Sequence, residues 1–224
     1  MSAASTDPPL DETLVVAKAI QDTITQALSE LHLMSERAGA AGSAITHGIE
    51  RSLLALLPAQ RMAAEMADLA QLDARRLLLR REPAELGELL TETVDHCVLP
   101  HQRRAVQLDL RTTTKLRIDR ERIQRVIASF LHSAITYGYP VSPIVIRLEE
   151  EDRRACVSIS DVGPGLTATQ SRAIFERRNP AAARTQPIGL YISRKIVEAH
   201  GGEVGIDSTP SVGATFWFAL PVTP

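Results

Sequence analysis

Apolar residues recur at steps of three and four soon after Asp11. Val16, Ile20, Ile24, Ala27, Leu31 and Met34 form the single stripe that an amphipathic helix presents to a partner. Asp11 and Glu12 stand where the positive end of that helix's dipole favours acids. The stretch AGAAGSA (38–44) supplies glycines and a serine for one helix to stop and another to start, and so short a connection makes the neighbours antiparallel. A second stripe follows at the same spacing: Ile45, Ile49, Leu53, Leu56, Ala63, Met66 and Ala70. Pro58 interrupts it, removes one internal hydrogen bond and predicts a kink. Neither helix covers its own stripe alone, so the pattern predicts a homodimer in which two hairpins form a four-helix bundle. Packing of the hairpin on the remainder of its own chain is the alternative.

After Leu77 the pattern changes. Strand-like runs VQLDL (106–110), PIVIRLE (143–149), ACVSISD (155–161), EVGID (203–207) and ATFWFAL (214–220) alternate with helical patterns at 84–98, 120–137, 167–175 and 189–200. Gly201 and Gly202 stop the last helix. The fold class is therefore α+β, an antiparallel helical hairpin followed by a two-layer α/β sandwich. Residues 1–10 read as a disordered tail, 11–76 as the hairpin and 77–224 as the sandwich.

Composition narrows the function classes. Lys and Arg number 25 against 27 Asp and Glu, a formal charge of -2, so no net field draws the chain to nucleic acid or an anionic membrane. No apolar run reaches the roughly 20 residues of a membrane-spanning helix, and MSAASTDPPL lacks the basic segment and apolar core of a signal peptide. The expectation is a cytoplasmic protein without membrane insertion, whose signal arrives through a partner or a concentration change. Cys97 and Cys156 lie in apolar surroundings and read as buried free thiols of a reducing compartment.

The chemistry-bearing motif is DVGPGL (161–166), which follows a strand and brings a carboxylate, two glycines and a fixed turn. An Asx turn made by Asp161 on its own backbone is the bland reading. The later stretch IGLYISRKIVEAHGGEVGIDSTPSVGATFWFALP (188–221) closely resembles the end of the ATPase domain of histidine kinases. RLLLRREPAELGELL (76–90), IDRERIQRVIASFLHSAITYG (118–138) and IFERR (174–178) resemble further family segments in the right order. The resemblance implies that Asp161 takes the slot that recognises the adenine amino group, with Gly163 and Gly165 shaping the pocket. Tyr137, Gly189, Leu190 and Thr215 fall at other nucleotide-site positions.

Where the sequence departs from the family, the changes concentrate at the phosphate end. The two asparagine positions of the family's long helix are Ser129 and Ser133, and the resemblance implies that the second would hold magnesium. A hydroxyl is a shorter, weaker ligand than an amide carbonyl, and magnesium demands near-octahedral oxygen geometry. Thr136 stands where a basic residue usually follows. Tyr191 puts a phenol where backbone amides would approach phosphate oxygens. Pro187-Ile188 replaces a flexible glycine hinge, and the lid (177–186) is short and contains Pro180. In the hairpin, the phosphoacceptor histidine falls on Lys18, whose ammonium is no nucleophile, and its acidic neighbour is Ala19. His47 and His32 are rival acceptors. His96, His101, His132 and His200 read as structural, the last as a cation suited to a helix end.

The leading expectation is a degenerate histidine-kinase-like signalling protein of a two-component pathway. It would act as a dimeric module binding a response-regulator receiver domain or another histidine kinase, with ATP and magnesium bound weakly or not at all. The alternatives are an active ATP-dependent sensor histidine kinase using His47 or His32, a histidine phosphotransferase, and an anti-sigma-type binding protein.

Overall fold

The computed structural model describes residues 20, 24, 25, 27, 29, 56, 59, 61–72, 74, 77–98, 106–140, 142–177 and 188–222. The chain divides into two compact units, Met1–Leu77 and Leu78–Pro224. In the first, the described positions 20, 24, 25, 27, 29, 56, 59 and 61–72 are helical. Ala63, Ala64, Ala67 and Ala70 are buried, whereas Met62 and Met66, one turn apart, are 59% and 50% exposed. The turn at 38–44, Pro58 and most of the two predicted stripes lie outside the described residues. Among the described residues no helix is long and apolar enough to cross a membrane.

The second unit opens with β1 (Glu82–Glu85), which the sequence pattern did not reveal because four residues including Pro83 carry no alternation. It pairs antiparallel with the equally short β3 (Lys115–Ile118), Glu82 opposite Ile118 and Glu85 opposite Lys115. Helix α1 (Leu86–Cys97) follows without a break. The periodicity placed its start at Ala84, but Ala84 pairs with Leu116, and the Glu85 carboxylate caps the helix by accepting from Gly87 N at 2.8 Å and Glu88 N at 3.1 Å.

The main sheet contains β2 (Val106–Leu110), β4 (Ile144–Glu151), β5 (Arg154–Asp161), β6 (Glu203–Thr209) and β7 (Gly213–Pro221), in the order β2-β4-β5-β7-β6. β2 runs parallel to β4, and the connection between them holds β3 and α2 (Arg120–Tyr137), the crossover that parallel neighbours require. All other pairs are antiparallel. Inward positions alternate: Ile144, Ile146 and Leu148 on β4, Ala155, Val157 and Ile159 on β5, Phe216, Phe218 and Leu220 on β7. The helical layer covers that face. Ile123, Val126, Ile127, Phe130 and Leu131 form the buried side of α2, and α4 (Ile188–Ala199) adds Leu190, Ile192, Ile196 and Val197. Phe130 is the hub of an aromatic cluster, its ring centroid 6.1 Å from Phe175, 5.6 Å from Phe216 and 6.1 Å from Phe218.

Between β5 and α4, the short α3 (Ala168–Ala173) begins with a reciprocal capping box between Thr167 and Gln170. α4 ends as the sequence predicts. Gly201 adopts φ +81°, and Gly201 N and Gly202 N donate to the carbonyls of Glu198 and Val197, the paired bonds of a Schellman stop.

Candidate functional site

Strand β5 ends at Asp161, and the loop after it is fastened from both sides. On one side, Tyr139 N donates to Val162 O at 2.7 Å and the Ser142 hydroxyl donates to the same carbonyl at 3.2 Å, tying the loop to the exit of α2. On the other, Ser211 N donates to Pro164 O at 2.7 Å and Leu166 N to Ser208 Oγ at 2.9 Å, tying it to β6 and the β6–β7 turn. Two glycines make this closeness possible. A Cβ on Gly163 would lie 2.8 Å from Asp161 Oδ1 and 3.1 Å from Gly138 Cα, and Gly165, at φ +63°, leaves no room for one against the Thr209 backbone.

The structure thus brings Asp161, Gly163 and Gly165 together with the α2 terminus that carries Tyr137. Thr215 does not join them: it stands opposite Ser160 in the β5–β7 register, its hydroxyl 2.9 Å from Ser160 Oγ, so its side chain leaves the sheet on the face away from Asp161, and Ala214 is the residue opposite Asp161. Burial pushes the Asp161 carboxyl above the usual carboxylate range, while the Ala214 amide that donates to it pulls the other way. A half-buried carboxylate beside glycine backbone can accept from a planar donor edge such as an amino-substituted heterocycle. Tyr137 is 52% exposed at the last turn of α2, with its ring free of the core.

The neighbouring positions differ in character. Ser133 is 2% exposed, and its hydroxyl donates to Ser129 O, one turn back, at 3.1 Å. Thr136 Oγ1 lies 3.4 Å from His132 Nε2. Gly189 and Leu190 lie in the first turn of α4, and the Leu190 side chain belongs to the core. Tyr191 has the Lys195 ammonium 5.9 Å from its ring centroid, and that ammonium also donates to Glu198 at 2.7 Å. Among the described residues no group of three or more His, Cys, Asp or Glu is arranged to hold a metal. Lys18, His32 and His47 lie outside the described residues, as do 178–187 of the lid and hinge.

Two readings of single residues change. Cys97 and Cys156 are free but only half-buried, and burial pushes the Cys97 thiol up to about 11. His200 is not a solvated cation on the helix end. It is buried, and its Nε2 accepts a hydrogen bond from Asp119 N at 3.0 Å. The sequence pattern missed this pairing because the partners are 81 positions apart; an Asp before α2 and a His beside an apolar helix end were its only traces.

Residues 118–224 match the family model described as histidine kinase-, DNA gyrase B- and HSP90-like ATPase. These residues form a histidine-kinase-type ATPase domain. Sensor protein GacS of Pseudomonas syringae pv. syringae is 31% identical over 172 residues, which are 70% of this chain and 19% of that protein. Sensor histidine kinase ZraS of Klebsiella oxytoca is 28% identical over 211 residues, 92% of this chain and 45% of that protein. The chain therefore spans less than half the length of either relative. The catalytic domain of histidine kinase ThkA has the same fold, with a TM-score of 0.57 at 24% identity, over 65% of this chain and 97% of that one. Acinetobacter baumannii histidine kinase AdeS aligns over 91% of this chain and 97% of its own, with a TM-score of 0.61 at 18% identity. Within the family fold, the loop carrying Asp161 packs against the end of α2, and Ser129 and Ser133 lie along that same helix.

Proposed function

We propose that this chain is a degenerate histidine-kinase-like signalling protein of a two-component pathway. It acts mainly as a dimeric module that binds a response-regulator receiver domain or another histidine kinase, and its use of ATP is weak or absent. The carrying observation is the Ser133 hydroxyl. It is buried and donates to its own helix at the position where the family resemblance implies a magnesium-holding amide. A side chain turned along its helix does not present a carbonyl to a hydrated dication. Tyr191 and Thr136 support the same reading, since one adds bulk and the other removes a charge near the expected phosphates.

The base end fits a nucleotide better than the phosphate end does. Asp161 and the glycine loop would hold and orient a purine, and its phosphates and metal would supply any phosphoryl chemistry. The dimeric part of the reading rests on Met62 and Met66. Two large exposed apolar side chains one turn apart on a helix are the kind of stripe that a second copy covers.

The test is incubation of the full chain with radiolabelled ATP and magnesium, followed by alkaline and acid washes. The expected result is no acid-labile label. Label on His47 or His32 that disappears in Asp161→Ala would instead establish an active sensor kinase. That second reading is favoured by the intact loop around Asp161 and by the relatives, which are named as sensor kinases.

A further inference from the structure

At the opposite end of α2 from Asp161, a second polar cluster is buried at the point where the chain enters the carboxy-terminal unit. Its centre is His200, 5% exposed just after α4. Asp119 N donates to its Nε2 at 3.0 Å, and its Nδ1 lies 2.7 Å from Ile196 O. An amide N–H only donates and a carbonyl only accepts, so the ring is neutral, with its proton on Nδ1 and both nitrogens used.

The same Asp119 organises its surroundings. Its carboxylate caps α2 by accepting from Arg122 N at 3.1 Å, accepts from Arg80 N at 2.9 Å and lies 3.4 Å from the Arg122 guanidinium. Arg81 donates to Ala199 O at 2.8 Å, on the residue preceding His200. Arg80 and Arg81 belong to the short segment that follows the unit boundary at Leu77. One imidazole lone pair therefore supports the peptide to which the entering segment is attached.

We propose that His200 is a proton-operated latch: a proton taken from solvent onto Nε2 displaces the Asp119 N–H, shifts the α2 cap and frees the Arg80–Arg81 segment, so that acidification loosens the first residues of the carboxy-terminal unit while its sheet remains folded. After protonation two donors face each other where one hydrogen bond stood. The charged groups facing the ring are Arg81 from the entering segment and Asp119 and Arg122 from α2. Both arginines oppose the proton. The Asp119 carboxylate attracts it, but that carboxylate is already engaged by the two amides and Arg122. Burial, the largest influence, pushes the imidazole below its ordinary range, so the latch is closed at neutral pH. Because the folded pKa is depressed, the contribution is intact above the ordinary histidine value and is lost as pH falls below it.

Hydrogen exchange of individual amides in the full chain, corrected for the intrinsic chemical rate, tests this. Opening of the Arg80 amide should rise about tenfold between pH 7.5 and 5.5, one unit below the ordinary histidine pKa, while amides of β5 and β7 hold their protection. His200→Gln keeps an acceptor without a titrating group and should make the Arg80 response flat. Nitrogen shifts of the His200 ring should report the Nδ1–H form at neutral pH. Arg80 protection that does not change with pH in the natural chain overturns the proposal. So does loss of protection at Arg80 and in the sheet together, or an Nε2–H ring. None of these readouts depends on nucleotide binding or phosphorylation, so they stand or fall separately from the function proposed above.

Discussion

At the residue scale, the burial of Asp161 works against folding stability. Its carboxyl is held above the usual range by burial, so the charged form is penalised in the fold and the penalty is relieved as pH falls through the raised value. Asp161→Asn keeps an oxygen to accept from Ala214 N and removes the buried charge. The variant should melt higher than the natural chain at pH 7, and the difference should shrink toward pH 4; calorimetry over that range measures it. The motif DVGPGL was legible in sequence as a strand-ending glycine loop, and its position beside the end of α2 agrees with that reading. Which way a hydroxyl such as Ser133 turns was not legible, because a serine in a helix either faces a ligand or bonds to the carbonyl four residues back.

At the element scale, α2 matters most because it packs against α1, α4 and the sheet. Its central Phe130 is fully buried and touches three other rings. Phe130→Ala leaves a cavity that this rigid surround cannot close, and should cost about 3–5 kcal/mol in a urea titration with an unchanged slope. Among the described residues, the four helices of the second unit and the five strands of its main sheet were readable from periods of 3.6 and two. The β1–β3 pair was not, since four-residue strands leave no period to detect, and their pairing is stabilised by long-range contact rather than propensity. The hairpin between β4 and β5 makes the same point. Asp152 and Arg153 both adopt positive φ, 49° and 60°, in a tight two-residue turn that usually takes Asn-Gly, so strand pairing overrides local preference there.

At the scale of the whole molecule, the exposed Met62 and Met66 predict association. The natural chain should run at the mass of two copies in light scattering. Met62→Glu combined with Met66→Glu should run as one, with its circular dichroism retained, because a charge on that stripe is left without solvent in a dimer but not in a monomer. The sequence by itself determined the change of period near Leu77, the alternation that gives the sheet one inward face, and the glycine signals that stop α4 and shape the Asp161 loop. These are local properties, set by how neighbouring side chains and backbone fit one helix or strand. Only the tertiary structure decided that β2 lies parallel beside β4, that Ser133 is turned back on its own helix, and that His200 is a neutral acceptor for Asp119. Each of these depends on residues far apart in sequence, or on which of several similar hydrogen bonds survives burial, and burial is fixed only once the layers have packed.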